Sequence, residues 1–519
     1  MNPGEFFDSQ HWVASSKAWW LMANQAVTGI GFDKVGACAL RERISQMMID
    51  IASDVEPKLP LRSLNKGETD YYRIPAKPFK MDGTFSSSME KWMEKVGGKL
   101  YTQRDVEISG QVFPIVGGKE TITTGVMRLA NQDDIKDWLL SQGWKPTLFN
   151  LKKDKRGKPE RDQKGNYIQT SPKMQEGGKL CPNLERMEGP LAKSVCKWLS
   201  LRNRKSVIEG WLENERLAFD GRLGAGASGI TPTTRFKHSV VVNLPKAEDG
   251  VLLGKEMRSL FVAPRPGYVF VGYDAAAIEA RNEAHYCYPY QGGVEYADDL
   301  INGDIHMKTV EKVFFDKVAH VFGTDRWSKD DPDVKPWRSK AKAVRYASSY
   351  GAQSKKMASV LGCSVREAQG VLDSFWEAAK PLAIFKDKIT QYWETTGQKR
   401  FIKGIDDRII CTRAKHAVVN SAFQSCGAIA MDYSAMFMDK WLGGLVLDKS
   451  KSPCYSYKGE FLYRVAFIHD ELLWEVPEHL ANEIGEMGVK SIESAGRVLK
   501  MRVPLAGEYK VGVSWAATH

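Results

Sequence analysis

The run Tyr268-Val269-Phe270-Val271-Gly272-Tyr273 ends on a carboxylate, Asp274, and a second run, Val465-Ala466-Phe467-Ile468, reaches His469-Asp470-Glu471 before Leu472-Leu473-Trp474-Glu475-Val476 continues it. The first run, followed by Ala275 to Arg281, predicts a strand that hands over directly to a helix. The second predicts two strands joined through Asp470 and Glu471, as in a hairpin. If these strands are neighbours, carboxylates distant in sequence converge at one sheet end. Hard Mg²⁺ takes oxygen ligands, and two such ions roughly 3.5–4 Å apart stabilise the attacking and leaving oxygens of a phosphoryl transfer. Taken singly, either aspartate serves equally well as a helix or turn cap.

Between the two acidic segments lies Trp337 to Gly351, rich in helix formers and closed by glycine. At about 100° per residue, Arg338, Lys342, Tyr346 and Tyr350 step round by only about 40° each and share one slowly rotating face. Two cations followed by two aromatic rings match a nucleoside triphosphate, whose phosphates need countercharge and whose base offers a stacking surface. In isolation the same segment reads as a solvated basic helix with core tyrosines. Its position between the carboxylates favours the nucleotide reading.

The rest of the chain sets the frame. With 519 residues and 43% hydrophobic composition it can build roughly two to four domains. A formal net charge of +11 favours polyanionic partners without identifying one. The eight cysteines include no C-x-x-C pair, no run approaches the ~20 apolar residues of a membrane span, and Met1 to Asp8 carries no signal region. Reduced thiols in an intracellular compartment are expected. Ser16 to Ala26, Gly36 to Ser53, Asp133 to Leu140 and Leu191 to Leu212 have helical patterns, with Asn131 or Asp133 as a cap for the third. Leu59 to Thr124 gathers prolines and glycines as an irregular insert would, and Lys152 to Lys173 reads as a charged solvated loop or a phosphate-backbone contact. Strand-like runs alternating with long helices in the second half imply an α+β domain.

These residues resemble family A DNA polymerases. Motif A of that family, D-Y-S-x-I-E-L-R, is similar to Asp274 through Arg281, with Ala275, Ala276 and Ala280 departing. Motif B, R-x-x-x-K-x-x-x-F/Y-G-x-x-Y-G, is matched by Arg338, Lys342, Tyr346, Tyr350 and Gly351, with Ala347 where glycine is usual. Motif C, H-D-E, is His469-Asp470-Glu471. Asn302-Gly303-Asp304-Ile305-His306 and His416 to Ser425 resemble the T-odd bacteriophage branch. Thr233-Thr234-Arg235 is similar to a T-G-R motif, with Thr234 in the glycine position. Gly31-Phe32-Asp33 and Gly143 to Pro146 look like thumb-region signatures. Five short motifs in the family's order make the resemblance specific.

The resemblance implies a right-hand polymerase fold of the α+β class, with an antiparallel-sheet palm, helical fingers and a helical thumb. Residues 1–215 would form a thumb-like region with an irregular insert at about 59–124, 216–290 and 406–519 the palm, and 291–405 the fingers. Asp274 and Asp470 would hold two Mg²⁺ ions, with the Ala275 carbonyl completing one coordination sphere and Glu471 assisting. Arg338, Lys342 and His306 would contact the triphosphate, Tyr346 would stack beside the new base pair, and Glu279 would crowd the sugar 2′ position to exclude ribonucleotides. Tyr350, Gly351, Arg235, Asn420, Gln424, His469 and Arg281 would touch primer or template. Tyr346 would also admit dideoxynucleotides. The implied activity is primer extension with deoxynucleoside triphosphates, in phage replication within the host cytoplasm.

Asp54-Val55-Glu56 and Asp105-Val106-Glu107 spell the D-x-E of an attached 3′–5′ exonuclease, but too little chain surrounds them to build that domain before the thumb. Proofreading is therefore expected to be absent or to come from another chain. A processivity partner at 59–124 is suggested by position alone. A single-subunit RNA polymerase shares much of the site but is disfavoured by Glu279 and Glu471, and a catalytically dead nucleic-acid clamp by retention of the motif carboxylates.

Overall fold

The computed structural model describes residues 10–108, 111–115, 124–163, 165, 167–319, 331–349, 351–395, 401–412 and 414–519. The chain divides into two compact units, Val35–Glu213 and Met1–Lys34 together with Asn214–His519.

The larger unit begins with helix α1 (Gln10–Thr28) and is organised on a six-stranded antiparallel sheet. Its strands are β1 (Tyr268–Ala275), β2 (Val446–Leu447), β3 (Pro453–Tyr457), β4 (Glu460–Ile468), β5 (Glu471–Pro477) and β6 (Gly507–Gly512), in the order β2-β3-β4-β5-β1-β6. Strands β1 and β5 are flanked on both sides, and Phe270, Val271, Tyr273, Leu472, Leu473 and Trp474 are fully buried. Burial on both faces explains why these strands read as largely apolar runs and not as alternating ones, the buried Glu475 of β5 excepted.

Helices α2 (Ile278–Cys287), α3 (Gly293–Ile301), α4 (Ile305–Val313), α5 (Lys335–Ser349), α6 (Ser354–Leu361), α7 (Val365–Ala378), α8 (Lys380–Thr395) and α9 (Val418–Trp441) fill the long excursion from β1 to β2. Helix α10 (Ala481–Val498) connects β5 to β6 and packs on β1. A Cβ at Gly488 would lie 2.4 Å from the Tyr273 ring, so glycine is what lets α10 lie this close to the sheet.

Residues 1–34 were expected in the thumb-like region, yet α1 packs on β4 and α9 in the larger unit. Its Ala18, Leu21 and Met22 belong to the same buried core as Val271 and Trp474, and Lys17 pairs with Asp439 at 2.9 Å. The helical pattern located α1 correctly but carried no sign of which surface its apolar face meets.

In the smaller unit, helices Lys34–Val55, Gln132–Ser141 and Pro190–Leu212 contribute to a core containing Val55, Ile135, Trp138, Leu139, Val195 and Trp198. Asn131 occupies the N-cap position of the second helix but makes no side-chain capping bond. The segment expected to be irregular has its own core of Ile74, Met89, Trp92, Val106, Ile108 and Ile115. Its helices are short, Lys66–Tyr71 and Ser87–Val96, and a three-stranded sheet follows. Elements this brief leave too few repeats for periodicity to show. Lys152 to Lys173 is likewise not a plain loop, since Phe149–Leu151 pairs with Gln169–Pro172 and Arg161 stacks 4.0 Å over Tyr167.

Three carboxylates of the two D-x-E segments have structural partners. Asp54 pairs with Lys58, Glu56 with Arg128 at 2.8 Å, and Asp105 accepts from the Thr102 hydroxyl at 2.5 Å. All eight cysteines are free, and among the described residues no helix is long and apolar enough to cross a membrane.

Candidate active site

Antiparallel register brings the two acidic segments together. Asp274, near the end of β1, stands opposite Glu471 on β5 and opposite Glu508 on β6. The turn from β4 to β5 is only His469-Asp470, with His469 in the left-handed region at φ 60°. The Ala275 amide donates to the Asp470 carbonyl at 3.3 Å and ties this turn to the end of β1. Burial raises the Asp274 carboxyl to about 6, and the charges of Glu508, Glu471 and Asp470 push in the same direction, opposed by His519.

Glu471 is held in place: Trp515 Nε1 donates to it at 2.8 Å and His519 Nε2 lies 3.3 Å away. A Cβ on Gly272 would approach Glu471 Oε1 to 3.3 Å and Thr518 Cβ to 3.0 Å, so the missing side chain leaves this contact room. Among the described residues, no group of three or more His, Cys, Asp or Glu side chains is arranged to enclose a metal ion. The aspartates instead form an open, mutually repelling carboxylate edge. Hard carboxylate oxygens whose charges raise the proton affinity of Asp274 suit a divalent cation such as Mg²⁺, which keeps part of its coordination for water and substrate phosphates.

A cavity of about 100 Å³ gathers Glu279 from α2, His306 from α4, Tyr346 from α5 and Asn420 and Gln424 from α9. Five residues expected at a nucleotide or primer site thus line one cavity. The rings of His306 and Tyr346 are 6.3 Å apart. Lys342 and Tyr346 are exposed, and Arg338 is half-buried because its Nε donates to Asp304 Oδ2 at 2.8 Å. Asp304 also caps α4 by accepting from the His306 and Met307 amides at 3.1 and 3.0 Å. Sequence reasoning placed Asp304 in a motif but missed this double role, although Asn-Gly-Asp ahead of a helical run is an N-cap signal.

Contact with the triphosphate was expected of His306. Burial, aided by Arg345 and Arg338, lowers it to about 4, and its Nδ1 is buried without a partner. At neutral pH it meets the pocket as a neutral ring. In an NMR titration of the ligand-free protein, His306 should show a midpoint at about pH 4; an ordinary midpoint near 6.5 would contradict this environment.

Other expected contacts lie elsewhere. Arg281 donates to the carbonyls of Ala276 at 2.9 Å and Pro504 at 2.6 Å, bracing the loop before β6. Gly351, at φ 76°, borders a larger cavity of about 750 Å³ with His416, and a Cβ there would meet the His416 carbonyl at 2.4 Å. Tyr350 lies outside the described residues. Arg235 and His469 line a small recess with His238, a residue sequence reasoning missed. His238 Nε2 accepts from the His469 amide at 3.3 Å, supporting the β4–β5 turn, and burial beside His469 lowers His238 to about 4.

Thr234, in the position where glycine was expected, adopts φ 65° and leaves its hydroxyl buried without a partner. Left-handed backbone costs a non-glycine residue about 1–2 kcal/mol and a buried orphan hydroxyl about 1–3, against about 0.5–1 for the extra freedom of unfolded glycine. Thr234→Gly should therefore stabilise the protein by about 1 kcal/mol or more, read as a higher urea midpoint at unchanged m. A lower midpoint would show that Thr234 makes a compensating interaction.

An antiparallel sheet with carboxylates at one end of its central strands, and a cationic-aromatic helix beside a small pocket, define a polymerase-type architecture. Residues 158–517 match the model for DNA polymerase family A. The chain belongs to that family. It is 26% identical over 400 residues to the DNA-directed DNA polymerase of Escherichia phage Phieco32, covering 61% of this chain and 58% of that one. It is also 26% identical over 264 residues to the DNA-directed DNA polymerase of Escherichia phage T7, covering 49% and 34%. Among solved structures it resembles the POL domain of Pol1 from M. smegmatis, in complex with DNA primer-template and dNTP. That likeness has a TM-score of 0.62 and 16% identity over 97% of this chain and 70% of that one. The fold is the right-hand polymerase fold.

Proposed function

We propose that the chain extends a DNA primer on a template, adding deoxyribonucleotides by two-metal nucleotidyl transfer at Asp274 and Asp470. The observation that carries this reading is the register of β1, β5 and the His469-Asp470 turn, which sets both carboxylates at one end of the central strands within the same compact unit as the Glu279–Tyr346 pocket. Asp274 and Asp470 would hold the ions, with the Ala275 carbonyl adjacent. When bound, Mg²⁺ supplies countercharge for the attacking and leaving oxygens and lowers the proton affinity of the primer hydroxyl.

The protein's own groups do the rest. Arg338 and Lys342 present positive charge to the phosphates from one face of α5, where it counters charge developing on the departing pyrophosphate. Tyr346 offers an exposed ring for stacking on the base pair being formed. Glu279, exposed on α2 at the mouth of the pocket, crowds a sugar 2′-hydroxyl and leaves it without a partner. Arg235, His469, Asn420, Gln424, Gly351, Tyr350 and Arg281 are proposed to hold primer or template.

The curated relatives are longer than this chain, which spans 58% and 34% of the two described. Their phage origin supports replication of a phage genome in the bacterial host as the setting. Primer extension on a defined template tests the reading. Elongation should require the complementary deoxynucleoside triphosphate and a divalent cation, stop on chelation, and fall by about 10³-fold or more with ribonucleotides. Extension independent of template sequence or cation would refute it.

A further inference from the structure

Behind the proposed nucleotide pocket sits a buried ionic cluster that binding of phosphates and base does not explain. Arg345 on α5 is 6% exposed and bonds through Nη2 to Glu283 Oε1 on α2. Tyr296 on α3 closes the triangle: its hydroxyl donates to Glu283 Oε1 at 2.5 Å and accepts from Arg345 Nη2 at 2.9 Å. Both Glu283 and Arg345 line the same cavity as Glu279 and Tyr346.

The spacing gives the cluster a mechanical meaning. Glu283 follows Glu279 by four residues on α2, so the two share a helix face. Arg345 immediately precedes Tyr346 on α5. The triangle therefore pins the turn of α2 beyond Glu279 to the turn of α5 that carries Tyr346, with α3 as the third support. Apolar side chains of similar volume would also hold these helices together, often at equal or greater stability, because desolvating a buried ion pair is expensive. What they would not do is fix register, since a hydrophobic contact tolerates sliding that a three-centre hydrogen-bonded contact does not.

We infer that Arg345 is a positioning residue that, through Glu283 and Tyr296, sets the gap between Glu279 and Tyr346 and so the stringency with which the pocket discriminates among nucleotide sugars. The inference rests on the reading of Glu279 as the element that crowds the 2′ position. It makes Arg345 a specificity determinant that acts through Glu283 and Tyr296.

The test is single-turnover addition of deoxy-, dideoxy- and ribonucleotides to one primer-template, with thermal melting alongside. The charge-free pair Glu283→Leu with Arg345→Met should melt at or above the parent temperature. It should lower the deoxy-to-ribo ratio of kcat/KM by about tenfold, equivalent to about 1.4 kcal/mol, and shift the deoxy-to-dideoxy ratio as well. Tyr296→Phe, which removes only the shared hydroxyl, should move the deoxy-to-ribo ratio in the same direction by about two- to threefold and covers the case in which the double variant fails to fold. The exchanged pair Glu283→Arg with Arg345→Glu should recover part of the parent ratio. Uniform slowing of all three nucleotides with both ratios unchanged would overturn the positioning role. Glu279→Ala in the same assay separates the two readings: discrimination lost there but intact in the cluster variants refutes the role of Arg345 alone, whereas discrimination unchanged in Glu279→Ala refutes the gate and this inference with it.

Discussion

Asp274→Asn is expected to lower the rate of nucleotide addition by on the order of 10³-fold or more while leaving the protein at least as stable as the parent. The two effects have one cause. In the free protein Asp274 is partly buried among Asp470, Glu471 and Glu508, and its carboxyl is raised to about 6. Its folded pKa thus lies above its unfolded value, so at neutral pH the folded state carries a penalty for keeping it ionised. Asparagine keeps the shape and removes the charge, which should stabilise by on the order of 1 kcal/mol at pH 7. That gain should fade as pH falls through about 6, where the parent carboxyl takes up a proton itself. A carboxylate that destabilises its own fold and is indispensable to turnover is what a cation site requires. Loss of activity through unfolding would instead appear as a lower melting temperature.

Glu475→Ala is expected to be the most damaging single change to stability, by about 3–5 kcal/mol, because it strands the buried Arg222 and leaves the half-buried Arg265 without its carboxylate. Glu475 is fully buried on β5 and accepts from Arg222 Nη1 at 3.0 Å and from Arg265 Nη1 at 2.6 Å, with the Arg265 amide at 3.3 Å. Arg222 also donates to the Gly29 carbonyl at 3.0 Å, and Arg265 lies 3.3 Å over the Tyr463 ring. The same strand carries Glu471 at its other end, so a loosened β5 should disturb the carboxylate edge too. Glu475→Leu combined with Arg222→Met and Arg265→Met removes all three charges together and should recover much of the loss. Denaturant unfolding of the single and triple variants decides this. A loss below about 1 kcal/mol for Glu475→Ala would mean that water or another group already serves the arginines.

Sequence legibility followed the range of the physical signal. Strands β1 and β5 were legible because their runs are largely apolar, interrupted in β5 only by Glu475, and each meets an acidic residue at its end. The face of α5 was legible because Arg338, Lys342 and Tyr346 repeat at helical spacing. The triangle of Glu283, Tyr296 and Arg345 was not, since its members sit on three helices and each looks like an ordinary amphipathic residue until packing is known. His238 was hidden similarly, as its strand carries no motif. The membership of α1 in the larger unit depends on which surface receives Leu21 and Met22, and helical periodicity does not encode that.

The most direct test of the central claim is to count divalent ions at the site. Mn²⁺ binding, followed by electron paramagnetic resonance on a complex with dideoxy-terminated primer-template and the next deoxynucleotide, should give about two ions per parent chain. Asp274→Ala should lose at least one of them together with extension activity. Parent-like stoichiometry and affinity in Asp274→Ala would place the ions elsewhere and contradict the assignment of Asp274 and Asp470.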